Sequence, residues 1–138
     1  MEIHFFQEDT EFELINPKPT QTWINKIIEQ EGYKLQELNF IFCSDDYLHN
    51  MNLEYLDHDT FTDIITFDNS EDDKMIEGDI FISIDRIKDN ANSMNIDFEN
   101  ELHRVIIHGV LHLLGYGDKT ESEKSLMRLK ENESLTLL

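Results

Sequence analysis

Two histidines four residues apart, His108 and His112, stand in a run whose apolar residues recur at helical spacing: Leu102, Val105, Ile106, Val110, Leu113 and Leu114. On a helix, four residues span about 40° of rotation and about 6 Å of rise, so both imidazoles fall on one face. Two rings so placed can grip one zinc ion. Gly115 can enter the left-handed conformation that ends a helix, and after Tyr116 and Gly117 the chain delivers Asp118. Two nitrogens and one carboxylate leave a fourth tetrahedral position open, as in a catalytic zinc site rather than a structural one. Asp118 also has a second reading. Asp118-Lys-Thr-Glu121 is a good helix start, with Asp as N-cap and Glu three residues on. Spacing alone leaves Asp118 either ligand or cap.

A zinc ion with an open position activates water and polarises a carbonyl or phosphoryl oxygen, which makes hydrolysis the expected reaction class. Zinc peptidases place a Glu directly after the first His as general base; here that position is Gly109, which argues against a peptidase. Glycine inside a helix costs about 1 kcal/mol relative to Ala. Gly109 therefore implies either tight packing against a strand or room for a bulky substrate. Arg104 lies one turn before His108 and Glu101 two turns before it. Arg104 is the candidate catalytic cation, able to hold a phosphate oxygen or steady transition-state charge; the alternative for both is a solvated helix face. His103 points elsewhere on the helical wheel, towards the surface, and His4, His49 and His58 have no ligand-like spacing.

These residues need elements to position them. Glu2 to Gln7 reads as a first strand and Glu11 to Ile15 as a second short extended piece. After Pro17 and Pro19, Thr20 or Thr22 caps a helix to about Gln30, with Trp23, Ile27 and Ile28 inward. Glu37 to Ser44 is a strand with Leu38, Phe40 and Phe42 on one face. Ser44-Asp45-Asp46 caps a helix to about Tyr55. Thr62 to Phe67 and Glu77 to Ile84 read as strands. Asp85 caps a helix to about Met94, and Asp97 caps the His-bearing one. A last amphipathic helix from Thr120 to about Glu133 carries Leu126, Met127 and Leu129. Strands mixed with helices that concentrate late in the chain give an α+β fold, a small mixed β-sheet with helices packed on one face and the metal-binding helix near the C-terminus.

At 138 residues the chain suits a single domain, residues 1–138, with an ordinary core. Cys43 is the only cysteine, which excludes an intrachain disulfide, and its apolar setting suits a buried small residue. No signal peptide and no bilayer-length apolar stretch are visible, so a cytoplasmic, membrane-free setting is expected. The net charge of −19 argues against loose adhesion to nucleic acid. A nucleic-acid substrate then requires a local basic patch, a bound cation or a delivering partner.

His108-Gly-x-Leu-His112-Leu-x-Gly115-Tyr116 resembles the signature of the YbeY metallo-endoribonucleases, rRNA maturation factors of bacteria. Met51-Asn52-x-x-Tyr55 with Asp59-x-x-Thr62-Asp63-Ile-Ile-Thr-Phe67, and Gly78-Asp79-Ile80, look like its second and third blocks. The resemblance implies one zinc ion per chain, a single-strand-specific endoribonuclease acting in 16S rRNA 3′-end maturation and ribosome quality control, and rRNA and ribosomal particles as partners. It also implies Asp118 as the third metal ligand. The family usually has His at that position, Asp at the position of Gly117, and Arg at the position of Leu56. The first change swaps an imidazole for a charge; the last removes a cation beside phosphate. Two other functions compete: a zinc metallohydrolase of another substrate class, and a non-catalytic ribosome-associated binding module with structural zinc, which Leu56 and the acidic surface favour.

Overall fold

The computed structural model describes residues 2–138. Four strands form one mixed sheet in the order β1-β2-β4-β3. β1 (Ile3–Glu8), β2 (Lys34–Cys43) and β4 (Met75–Ser83) run parallel, and β3 (Ile64–Asp68) pairs antiparallel with β4 at the edge. Parallel neighbours need a crossover connection. α1 (Lys18–Gln30) joins β1 to β2, and α2 (Asp45–Leu56) lies between β2 and β3. α3 (Ile84–Met94), α4 (Phe98–Leu113) and α5 (Glu121–Leu135) follow. This is the α+β architecture expected.

Strand alternation decides what each face carries. Leu38, Phe40 and Phe42 of β2 join Ile80 and Ile82 of β4 in the main core, against α1, α3, α4 and Met127 of α5. The intervening residues face the other way. There Cys43 and Ile65 pack with Leu48 of α2 in a smaller cluster. Helices therefore cover both faces, not one. α2 is weakly amphipathic in sequence, burying only Leu48 and Asn52, so its side of the sheet was not readable from periodicity. Burial pushes the Cys43 thiol up to about 12, which leaves it inert.

α4 crosses β3 and β4 at close range. A Cβ on Gly109 would lie 2.8 Å from Ile64 Cδ1 and 3.1 Å from Ile80 Cγ2. Tight packing, not substrate room, is what the glycine serves. The six apolar positions read from the sequence are all buried.

Other expectations shift. Glu11 to Ile15 forms no strand. α1 begins at Lys18 and takes Pro19 into its first turn, where no intrahelical N–H is needed. Ser83, not Asp85, caps α3, accepting from the Arg86 N–H; Asp85 instead accepts from the Asp45 N–H at 2.9 Å. Leu126 and Leu129 are exposed and only Met127 turns inward. His103 is half-buried, with Nδ1 2.7 Å from the Glu99 carbonyl and its ring edge against Trp23. No helix among the described residues is long and apolar enough to cross a membrane.

Gly78 holds β3 to β4: a Cβ there would lie 2.5 Å from the Phe67 carbonyl oxygen. A backbone atom cannot rotate aside, so Gly78→Ala is expected to cost roughly 1–3 kcal/mol, read as a lower urea midpoint.

Candidate metal centre

α4 brings His108 and His112 to one face near its C-terminal end. The helix then stops in a Schellman turn: the Gly115 N–H donates to the His112 carbonyl and the Tyr116 N–H to the Leu111 carbonyl, with Gly115 at φ +101°. The Tyr116 hydroxyl donates to Glu31 Oε1 at 2.6 Å and ties the turn to the end of α1. Two residues later Asp118 folds back over the histidines.

The cap question resolves at α5. Thr120 is its N-cap: the hydroxyl accepts from the Glu123 N–H, and Glu123 accepts in return from the Thr120 N–H at 3.0 Å. This capping box lies two residues beyond the expected one and leaves Asp118 out of it. Gly117 belongs to the same arrangement, since a Cβ there would meet Glu123 Oε2 at 2.5 Å. Asp118 turns its carboxylate to the imidazoles instead.

Three ligand atoms converge. His108 Nε2 and His112 Nε2 are 3.1 Å apart, His112 Nε2 and Asp118 Oδ2 3.2 Å, and His108 Nε2 and Asp118 Oδ2 3.5 Å. Tetrahedral zinc with bonds of 2.0–2.1 Å separates its ligand atoms by about 3.3 Å. The donor set and its edges fit a metal ion, and this group could hold one.

Glu131 completes the centre from α5, and the sequence did not reveal it. It is 5% exposed. Its Oε2 lies 2.7 Å from His108 Nδ1 and its Oε1 2.9 Å from Arg104 Nη1. An N–H donated from Nδ1 leaves the Nε2 lone pair aimed at the centre, the usual carboxylate–histidine arrangement. Burial pulls the His108 pKa down, but the Glu131 hydrogen bond and the charges of Glu131, Asp118 and Asp63 outweigh it and leave it raised. Burial pushes Glu131 up, yet bonds from His108 and Arg104 hold it below its ordinary value.

The group sits where two cavities meet. One, about 670 Å³, is lined by Leu56, Lys119 and all three candidate ligands. The other, about 320 Å³, is lined by Glu101, Arg104, Arg128 and Glu131 and shares His108 and Asp118 with the first. Half-buried Asp63 lies at the seam, its carboxyl raised by burial against the lowering pull of His108. The walls of the larger cavity depend on Asn52, which donates to the Thr60 carbonyl at 2.9 Å and shapes the segment between α2 and β3. Of the expected residues, Arg104 therefore lines the smaller cavity while paired to Glu131. His58 lines the larger one without joining the ligand group, and His4 and His49 lie elsewhere, His49 paired with Asp59.

The family described as Endoribonuclease YbeY matches residues 3–138. The chain is 58% identical to the protein named endoribonuclease YbeY of Cytophaga hutchinsonii over 135 residues, 98% of this chain and 94% of that one. With the like-named protein of Amoebophilus asiaticus it shares 57% identity over 130 residues, 94% of this chain and 88% of the other. A solution structure of a Thermotoga maritima protein superposes with a TM-score of 0.72 at 27% identity, covering 98% of this chain and 87% of its own.

Asp118→Ala is expected to lower bound metal, measured by elemental analysis, while leaving metal-free stability within about 0.5 kcal/mol. Thr120→Ala should do the reverse, losing about 1 kcal/mol of stability and keeping the metal. The pH dependence has a definite sign. Without metal, the His108–Glu131 pair stabilises fully below the ordinary histidine value of 6.5 and fades as pH rises through the raised His108 value. It is lost again in acid, as pH falls through the lowered Glu131 value. Metal must displace the His108 proton, so apparent zinc affinity should climb across the upper range. Glu131→Gln should move that climb to lower pH and weaken affinity about 10–100-fold, measured by chelator competition.

Proposed function

This chain belongs to the endoribonuclease YbeY family, and from that membership we propose that it hydrolyses phosphodiesters of single-stranded rRNA at the His108–His112–Asp118 group, with one zinc ion as cofactor. The observation that carries the proposal is the convergence of three ligand atoms, 3.1–3.5 Å apart, between two open cavities. The side chains of His108, His112 and Asp118 are 22%, 28% and 41% exposed, so a strand can reach them. A sealed structural site would bury its ligands.

A zinc ion held there would supply water activation at neutral pH and polarisation of a phosphoryl oxygen. The protein's own groups do the rest. Glu131 fixes the His108 ring through Nδ1. Arg104 offsets the buried Glu131 charge and, from the smaller cavity, faces the strand as the candidate catalytic cation. Lys119 offers a cation in the larger cavity, where Leu56 presents only apolar surface. Asp118 contributes a negative ligand, which makes the centre less electrophilic than one with a third imidazole.

The setting completes the proposal: action in 16S rRNA 3′-end maturation and ribosome quality control, on rRNA within ribosomal particles, in the cytoplasm, by a single domain spanning residues 1–138. The relatives' names support the nuclease. They count against a hydrolase of another substrate class and against a non-catalytic binding module. The acidic balance, −19 overall, fits a protein that does not adhere to RNA indiscriminately.

His112→Ala should abolish cleavage of single-stranded rRNA fragments, as should chelation of the wild type, with the melting transition of the variant still cooperative. Cleavage that survives both treatments would refute the proposal.

A further inference from the structure

The smaller cavity contains a group that metal binding does not explain. Glu101 is 5% exposed, and among the described residues its Oε1 is buried without a hydrogen-bond partner. Leaving a buried carboxyl oxygen unpaired costs about 1–3 kcal/mol, and more when it is charged. An apolar residue in its place would incur no such penalty. Glu101 lies two helical turns before His108, about 10 Å along the axis. It lines the same cavity as His108 and Asp118, displaced along the helix towards where a nucleotide next to the reacting phosphodiester would lie.

Two guanidiniums, Arg104 and Arg128, line the cavity beside it. Arg104 Nη1 lies 2.9 Å and Arg128 Nη1 3.5 Å from the same Glu131 Oε1. His108 bonds the other oxygen of that carboxylate. One carboxylate thus serves two guanidiniums and an imidazole, and the carboxyls of Asp63 and Asp118 line the same cavity. Arg104 is held in place; the Arg128 side chain is 62% exposed and free to turn to a ligand. Burial, and then the charge of Asp63, hold the Glu101 carboxyl above its ordinary value.

RNA offers the matching pair on every nucleotide. Its phosphate suits a guanidinium, and its 2′-hydroxyl both donates and accepts, which lets a protein tell RNA from DNA. We propose that the cavity between α4 and α5 is a subsite for one ribonucleotide flanking the scissile bond, with Arg128 on its phosphate and Glu101 on its 2′-hydroxyl. The subsite rests on the reading that RNA is cut at the His108–His112–Asp118 group.

The test uses the zinc-loaded full chain and short single-stranded oligoribonucleotides, each carrying one 2′-deoxy position near the cut, with both binding (anisotropy) and cleavage recorded. Wild type should bind one flanking-position deoxy oligonucleotide about fivefold more weakly than the all-ribose strand. Glu101→Met should erase that penalty and Glu101→Gln, which keeps an acceptor, should retain it. Arg128→Gln should weaken all oligonucleotides alike and make binding less salt-dependent by roughly 0.7 of a unit in log–log slope. Zinc content should not change in any of them. A penalty that is absent at every position in wild type, or that is the same in Glu101→Met, overturns the subsite, and the wild-type scan decides alone if Glu101→Met fails to fold. RNA that binds with the position-specific penalty but is never cut overturns the nuclease reading and keeps the cavity only as a ribonucleotide-binding site. RNA that neither binds nor is cut overturns both.

Discussion

A buried carboxylate and a histidine ring, 2.7 Å apart and on different helices, hold the centre together. A charge as deep as that of Glu131 is costly unless paired. Its oxygens bond His108 and Arg104, with Arg128 at 3.5 Å, and the pairing turns that cost into orientation. It orients the His108 ring and registers α5 against α4. The rest of the architecture serves that register. Met127 buries one face of α5, and the Trp23 indole N–H donates to the Ser134 carbonyl at 2.8 Å, fastening the helix to α1 one turn beyond Glu131.

The ligand turn is constrained from the other side. Gly115 ends α4, Tyr116 reaches Glu31, and Lys130 lies 3.4 Å from the same Glu31 carboxylate and over the Tyr116 ring. α1, the turn and α5 thus share one polar knot behind the metal group. In front, Gly109 lets α4 sit close upon Ile64 and Ile80, so that Asp63, just before β3, reaches the same seam. Sheet, turn and last helix each contribute one wall.

What could be read from the chain followed from how local the determinants were. His108 and His112 declare themselves because helical periodicity brings residues four apart together with no outside help. Leu38, Phe40 and Phe42 do so through alternation. Asp118 was ambiguous because two overlapping patterns, Asp118 with Glu121 and Thr120 with Glu123, satisfy the same capping rule. The choice between them depends on Gly117 packing against Glu123, which spacing does not encode. Glu11 to Ile15 has residues that tolerate an extended path but pairs with neither edge of the sheet. Glu131 was invisible for a plainer reason: it stands 23 residues from its partner, on a helix whose charged residues look alike until the tertiary structure buries one of them.

The bond from Trp23 to Ser134 spans 111 residues, and Glu131 sits just before its far end. The two imidazoles are brought together by α4 alone, but the carboxylate that steadies one of them is held by contacts between the first helix and the last. Fraying of α5 alone would therefore leave His108 and His112 on one face with the His108 ring unpaired.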